Sequence, residues 1–327
     1  MRIMVAGGAG YIGSRLCPEL LKLGHEVDVV DLFWFGCHLP IPQAHTFGVL
    51  ANFRDEIGLR KANVFDLKAE DLYDYDQVIF LAGLSNDPMA NFAPAQNFVY
   101  NGAAPAYLAY ITKQAGVERF IYASSCSVYG FNEKDLSTEN AQIACSYPYG
   151  LSKLQGEQAV LQLADANFSV IALRQGTVSG YSPRMRFDLI VNTMFRAALK
   201  DKKIIVNNPA IWRPVLGITD AVRAYDRAIR TKFDVSGVYN IASFNTTVGE
   251  VAEKVRDFVG SSVEIVLSHV PDVRNYRVSV TKAMGDLNIH PLDTVHSILA
   301  ELATTNAIAL DGDECYNIKM LRKSIIL

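Results

Sequence analysis

The chain contains no C-x-x-C pair, and its five cysteines (Cys17, Cys37, Cys126, Cys145 and Cys315) are scattered and odd in number. That pattern argues against a disulfide framework and against a zinc site, so no metal is expected and a reducing, cytoplasmic setting is. A long basic run is also missing: 31 Lys+Arg against 34 Asp+Glu leave a formal charge of −3. The densest cluster, Lys200-Asp201-Lys202-Lys203, reads as a solvated turn, and no nucleic-acid partner is expected. No apolar run is long enough to span a bilayer, and Met1-Arg2 leads into a strand-like run without a signal-peptide pattern. Internal repeats and low-complexity tracts are lacking too. What remains is 327 residues with 50% hydrophobic side chains, enough for one large domain or two interleaved ones.

The first motif is glycine-rich. A short apolar run, Arg2-Ile3-Met4-Val5-Ala6, feeds Gly7-Gly8-Ala9-Gly10-Tyr11-Ile12-Gly13, and a helical pattern follows from Ser14 to Gly24. Val27-Asp28-Val29-Val30-Asp31 then reads as a second strand ending in an acid. Strand, glycine turn, helix, strand and acid together suit a dinucleotide, whose diphosphate would meet backbone N–H groups at the helix N-terminus. Asp31 is placed to accept hydrogen bonds from an adenosine ribose, and its charge would repel a 2′-phosphate, favouring NAD over NADP. The other reading is a plain β–α turn with Asp31 as a surface acid. Leu32 to Arg60 looks irregular; its Phe33, Trp34, Phe35, Pro40 and Pro42 are expected to bury a long loop rather than to pack on adenosine. Further strands are expected at Asn63–Leu67, Gln77–Gly83, Arg119–Ala123 and Phe168–Arg174, with a long helix over Asn97–Ala115. This β–α alternation predicts a doubly wound parallel sheet, with ligands at the strand C-terminal ends.

The second motif is Ser146-Tyr147-Pro148-Tyr149-Gly150-Leu151-Ser152-Lys153. Proline suits the first turn of a helix, so a helix should begin near Pro148 and place Tyr149 and Lys153 one turn apart on one face. A phenol with a pKa of about 10 is protonated at neutral pH, but a nearby ammonium favours the phenolate and can make it a general base. Alone, the spacing equally fits an exposed tyrosine and a solvated lysine. Upstream, Ser124-Ser125-Cys126-Ser127-Val128-Tyr129-Gly130 sits at an expected strand end, where a hydroxyl could reach both a substrate oxygen and the Tyr149 phenol.

In this order, the glycine turn, Asp31, the serine-rich strand end and YxxxK resemble the short-chain dehydrogenase/reductase superfamily. Chain length and Ser127-Val128-Tyr129-Gly130 resemble its extended branch, the NAD-dependent nucleotide-sugar epimerase/dehydratase family, over roughly residues 1 to 300. The resemblance implies a Rossmann-type α/β domain over 1–175, to which 217–242 returns, and a smaller C-terminal α/β substrate domain over 176–327. It implies NAD held by Gly7, Gly10, Tyr11, Ile12, Gly13 and Asp31, with Asp66 and Leu67 beside the adenine and Leu81, Ala82 and Gly83 also at the cofactor. Ser125, Tyr149 and Lys153 match the catalytic serine, tyrosine and lysine. Tyr149 would take a proton from a sugar hydroxyl as hydride leaves that carbon, Lys153 would hold the nicotinamide ribose, and Ser125 would orient the oxygen.

The same resemblance places Ser85, Ser125, Thr177, Asn192, Arg213 and Arg274 at a nucleotide-diphosphate sugar. Trp212-Arg213-Pro214 and Asp272-Val273-Arg274-Asn275-Tyr276 resemble the arginine segments that meet the diphosphate. Surface ion pairs are the alternative for these arginines, and the expected reading for Arg184, Arg186 and Arg277. Sugar 4,6-dehydratases carry an Asp-Glu pair where this chain has Cys126 and Ser127, so dehydration is not expected. Cys126 is also one residue out of register for the cysteine of 3,5-epimerases, and is expected to be a small buried side chain. The expected activity is 4-epimerisation, with a 4-dehydrogenase or 4-keto-reductase as the runner-up and a non-catalytic NAD sensor as the remote alternative. A homodimer is also implied. The tail from Thr304 to Leu327 matches nothing of use.

Overall fold

The computed structural model describes residues 1–39, 56–269 and 274–325. Pro40, Pro42, Asp272, Val273, Ile326 and Leu327 lie outside the described residues. Seven strands form one sheet: β1 (Arg2–Ala6), β2 (Glu26–Asp31), β3 (Gly58–Lys61), β4 (Gln77–Phe80), β5 (Arg119–Ser125), β7 (Ser169–Gln175) and β11 (Gly237–Ile241). Their order is β11-β7-β5-β4-β1-β2-β3, and every pairing is parallel. β1 is flanked by β2 on one side and β4 on the other, so a crevice opens at their C-terminal ends.

Such a sheet needs cover on both faces, and the alternation of side chains supplies it. Ile3 and Val5 join one core with Leu16, Cys17 and Leu20 of helix Gly13–Lys22 and with Ala221, Ala224, Tyr225 and Ala228 of helix Ile218–Arg230. Met4 and Ala6 face the other core, with Leu108, Ala109 and Ile111 of helix Ala104–Gln114 and Val160 of helix Pro148–Leu161. Leu20 is fully buried, so truncation to alanine would cost about 2–5 kcal/mol.

The expected strand at Asn63–Leu67 is instead a 3-10 turn over Val64–Asp66, capped by the Asn63 side chain accepting from the Phe65 N–H at 3.2 Å. Asparagine offers its backbone this local bond, which competes with strand pairing, and the strand lies just upstream at Gly58–Lys61. The expected long helix runs from Pro94 to Gln114 with a wider π-turn at Val99–Ala103. That turn presents Asn101, fully buried, whose amide donates to the Leu84 carbonyl at 2.9 Å and to Ser152 Oγ at 3.1 Å. Helix Pro148–Leu161 packs directly against it. A Cβ at Gly156 would stand 2.2 Å from the Asn101 carbonyl oxygen, so only glycine permits this approach.

Beyond the sheet, β8 (Thr177–Ser179), β10 (Trp212–Gly217) and β12 (Phe244–Thr247) form a three-stranded sheet. β9 (Lys203–Asn207) pairs with β13 (Glu264–Ser268), and β6 (Phe131–Ser137) with β14 (Asn275–Val278). A separate core of Met185, Phe187, Phe195, Val251, Val255 and Leu299 supports these elements. Among the described residues no helix is long and apolar enough to cross a membrane, and no His/Cys/Asp/Glu group could hold a metal ion.

Candidate active site

The glycine turn begins where β1 ends. Gly7 has φ of 80°, and a Cβ there would meet the Ala82 backbone nitrogen at 2.4 Å, so only glycine fits between the ends of β1 and β4. Asp31, the last residue of β2, braces the turn: its carboxylate accepts from the Ala9 N–H at 3.0 Å and the Phe33 N–H at 2.8 Å. Burial raises its pKa, while the backbone N–H groups and the charge of Arg184 pull it back. A cleft of about 100 Å³ opens here, lined by Gly7, Gly10, Asp31, Trp34, Phe35 and Leu81-Ala82-Gly83 among others. Trp34 and Phe35 thus face the cleft as well as packing beside Leu84, Met89 and Leu321, rather than only burying a loop.

Asp66 and Leu67 do not line this cleft; Asn63 and Val64 do. The capped turn after β3 directs Asp66 outward to solvent, and Leu67 is core, with its carbonyl accepting from the Tyr107 hydroxyl at 2.7 Å.

A larger cleft of about 430 Å³ shares Gly7, Gly10, Phe35, Leu81 and Gly83 with the first and continues along Tyr11, Ile12 and Gly13 to Ser125, Tyr149 and Lys153. Ser125 closes β5, and its Oγ accepts from the Ser127 N–H at 3.1 Å. Tyr147 is extended (φ −98°, ψ 140°) and Pro148 opens the helix that carries Tyr149 and Lys153. Lys153 donates from Nζ to the Ala123 carbonyl at 3.0 Å and sits 5.2 Å from the Tyr122 ring centre. Burial alone lowers its pKa to about 7. The Tyr149 phenol is pushed up to about 12 by burial, and a hydrogen bond with Ser125 and the Arg186 charge oppose that rise. A hydroxyl, a phenol and an amine therefore converge at one strand end, each tied to a defined partner.

A fully bonded polar network stands behind this trio. Glu157, one turn beyond Lys153, accepts from Ser124 Oγ at 2.6 Å and from Arg174 at 2.9 and 2.6 Å. Arg174 also donates to the Tyr129 oxygen at 2.8 Å, and Tyr129 donates to Asn240 Oδ1 at 2.7 Å. The ends of β5, β7 and β11 are so locked together. Cys126 is buried with its thiol on the Arg174 carbonyl at 3.1 Å, as expected of a small core side chain.

On the far wall, Ser85 and Thr177 line the larger cleft, and so does Arg274, which pairs with Asp87 and lies 4.9 Å above the Tyr147 ring. Arg213 is not in the lining; its guanidinium donates to the carbonyls of Trp212 and Arg274. Asn192 is fully buried and away from the cleft. Its oxygen accepts from the Gly180 N–H at 2.9 Å, and its amide donates to the Arg186 carbonyl at 2.9 Å and to the Gly180 carbonyl and Tyr11 hydroxyl at 3.2 Å. Each polar atom of Asn192 thus has a partner in the fold.

Arg184 and Arg186, expected as surface ion pairs, are instead buried and line the larger cleft, as do Asp87, Asp188, Tyr276 and Asn317, which were given no role. The charged run Arg184-Met185-Arg186-Phe187-Asp188 just past β8 was the available signal. For Asn317 there was none: the tail helix Asn317–Ile325 returns to pack beside helix Asp87–Phe92, and the Asn317 amide donates to Ser85 Oγ at 2.6 Å.

A profile of the NAD dependent epimerase/dehydratase family matches residues 3–242. UDP-glucose 4-epimerase of Bacillus subtilis (strain 168) is 31% identical over 57% of this chain and 55% of its own length, so the chain aligns with about half of that relative. Uncharacterized UDP-glucose epimerase YtcB of the same organism is 27% identical over 94% of this chain and 97% of its own. Among solved structures, MoeE5 in complex with UDP-glucose and NAD superposes with a TM-score of 0.80 at 26% identity, covering 95% of this chain and 100% of that one.

Proposed function

The chain belongs to the NAD dependent epimerase/dehydratase family, and on that premise we propose that it is a nucleotide-diphosphate-sugar 4-epimerase. The observation that carries this reading is the convergence of Ser125, Tyr149 and Lys153 in one cleft with the glycine turn. The residues present fit NAD: the turn leaves no room for a Cβ at Gly7, and Asp31 and the Trp34/Phe35 pair border the smaller cleft. Gly10 to Gly13 would hold the diphosphate, Asp31 the adenosine ribose, Asn63 and Val64 the adenine, and Lys153 the nicotinamide ribose. When bound, NAD supplies a hydride acceptor for the sugar C4 and the donor that returns hydride to its other face.

This chain's own part is to position the sugar and move one proton. Tyr149 Oη takes the proton from the C4 hydroxyl and later gives it back, a role worth about 10²- to 10⁴-fold in rate. Ser125 Oγ holds both that oxygen and the phenol. Lys153, once charged, favours the phenolate that burial otherwise opposes. Arg274 and Ser85 meet the nucleotide-diphosphate sugar. The carboxylates Asp87 and Asp188 on the cleft wall are each paired with an arginine, which favours epimerisation over dehydration, a reaction that needs free acids beside C5 and C6. In this reading residues 1–175 with 217–242 carry the cofactor and 176–327 the sugar, and the protein works as a cytoplasmic homodimer.

The test is a panel of nucleotide sugars given to purified protein, with product stereochemistry read by NMR and bound cofactor by absorbance. A C4-inverted product with only transient reduction of bound NAD supports the epimerase. Stoichiometric NADH or ketosugar in solution would assign a dehydrogenase or reductase instead.

A further inference from the structure

A buried guanidinium normally stands beside an anion, because removing an unpaired charge from water is costly. Arg184 has Asp31 and Asp188 as charged neighbours but no hydrogen-bonded carboxylate among the described residues. It is 2% exposed, its Nε and Nη2 are sealed from solvent, and neither finds a hydrogen-bond acceptor among the described residues. Its guanidinium carbon instead lies over the Phe35 ring, 4.3 Å from the ring centre. Two residues on, Arg186 makes a two-pronged pair with Asp188 at 2.8 and 3.0 Å, and Asn86 also donates to that carboxylate at 3.0 Å. Asp188 is therefore committed to Arg186 and Asn86, and Arg184 Nε and Nη2 are left without an acceptor among the described residues.

Its position says which ligand. Arg184 lines the larger cleft together with Gly10, Tyr11 and Phe35, and its charge acts on Asp31. This is the end where the glycine turn and Asp31 meet; Arg274, the arginine facing the opposite wall, is already paired with Asp87. A planar donor fork suits two phosphate oxygens better than any neutral group.

We propose that Arg184 binds the diphosphate of the bound dinucleotide, with Phe35 holding its guanidinium in place, and that it sets how long the cofactor stays on the protein. The inference rests on the reading of this chain as an NAD-dependent enzyme and extends it to cofactor retention. An epimerase must keep its reduced cofactor until hydride returns, and a buried arginine on the diphosphate slows escape without touching the reacting carbon.

The nucleotide sugar also carries a diphosphate, so the experiment must tell the two sources apart. Arg184→Met keeps an apolar stem against Phe35 and removes the charge; Arg184→Lys keeps the charge without the fork. For each purified holo-protein, exchange of bound dinucleotide with radiolabelled NAD is timed, and UDP affinity is measured by calorimetry. Exchange should be about 10- to 100-fold faster in Arg184→Met and intermediate in Arg184→Lys, with UDP affinity within about twofold of wild type. If Arg184→Met does not fold, faster exchange in Arg184→Lys carries the test alone. Unchanged exchange with UDP affinity at least tenfold weaker would assign Arg184 to the nucleotide sugar and overturn the proposal. No change in either would also overturn it. A wild-type protein that binds no NAD would sink the underlying reading, a separate outcome from either variant result.

Discussion

Replacing Lys153 with methionine should stabilise the cofactor-free protein while abolishing turnover. The amine is 5% exposed, and its pKa falls from 10.5 to about 7 on burial. Below pH 7 the lysine is charged in both folded and unfolded chains, so the folded state carries the whole cost of the buried charge. Between pH 7 and 10.5 the unfolded lysine keeps a proton that the folded one gives up, and stability rises with pH across that window. The fall in pKa sets a ceiling of about 5 kcal/mol on the cost. Losing the hydrogen bond to the Ala123 carbonyl and the contact with the Tyr122 ring offsets about 1–2 kcal/mol of the gain. A net gain of about 3 kcal/mol at pH 6 should raise Tm by about 5 °C, shrinking to near zero by about pH 9. Scanning calorimetry on NAD-stripped wild type and variant at the two pH values reads this directly. A variant less stable than wild type at pH 6, or a gap that does not narrow with pH, would refute the reasoning.

Three further substitutions probe the rest of the site. Glu157→Ala leaves the Arg174 guanidinium buried without its carboxylate and should cost about 3–5 kcal/mol in urea unfolding, while Glu157→Leu with Arg174→Met recovers most of it. Asn192→Ala should lower stability by about 1–3 kcal/mol and leave KM for the sugar nucleotide within about twofold, since its amide serves Gly180, Arg186 and Tyr11. Tyr149→Phe should reduce kcat by about 10²- to 10⁴-fold with NAD content unchanged.

β1, β2, β4, β5 and β7 were legible as apolar runs, whereas β3 (Gly58–Lys61) lacks such a run and fell largely in a stretch read as irregular. The helix over Tyr149 and Lys153 was legible because Pro148 marks its start. What misled was local polar chemistry. Asn63 caps a turn with its own side chain, and a five-residue pattern cannot tell that turn from a strand. The partners of Asn192 lie on Tyr11, Gly180 and Arg186, a convergence that exists only in the folded chain. The arginines divided in a way sequence could not foresee: Arg213 turned to backbone carbonyls, while Arg184 was drawn inside. The tail gave no signal because Asn317 meets Ser85 across 232 residues of chain.

In the proposed 4-epimerase, hydride leaves the sugar C4 and returns to the same molecule. A nucleotide sugar deuterated at C4, mixed with unlabelled substrate, tests it most directly. The expected product is inverted at C4 and retains its deuterium there, with no crossover into the unlabelled pool. Deuterium appearing on free cofactor or on a second sugar, or no inversion with any nucleotide sugar, would contradict it.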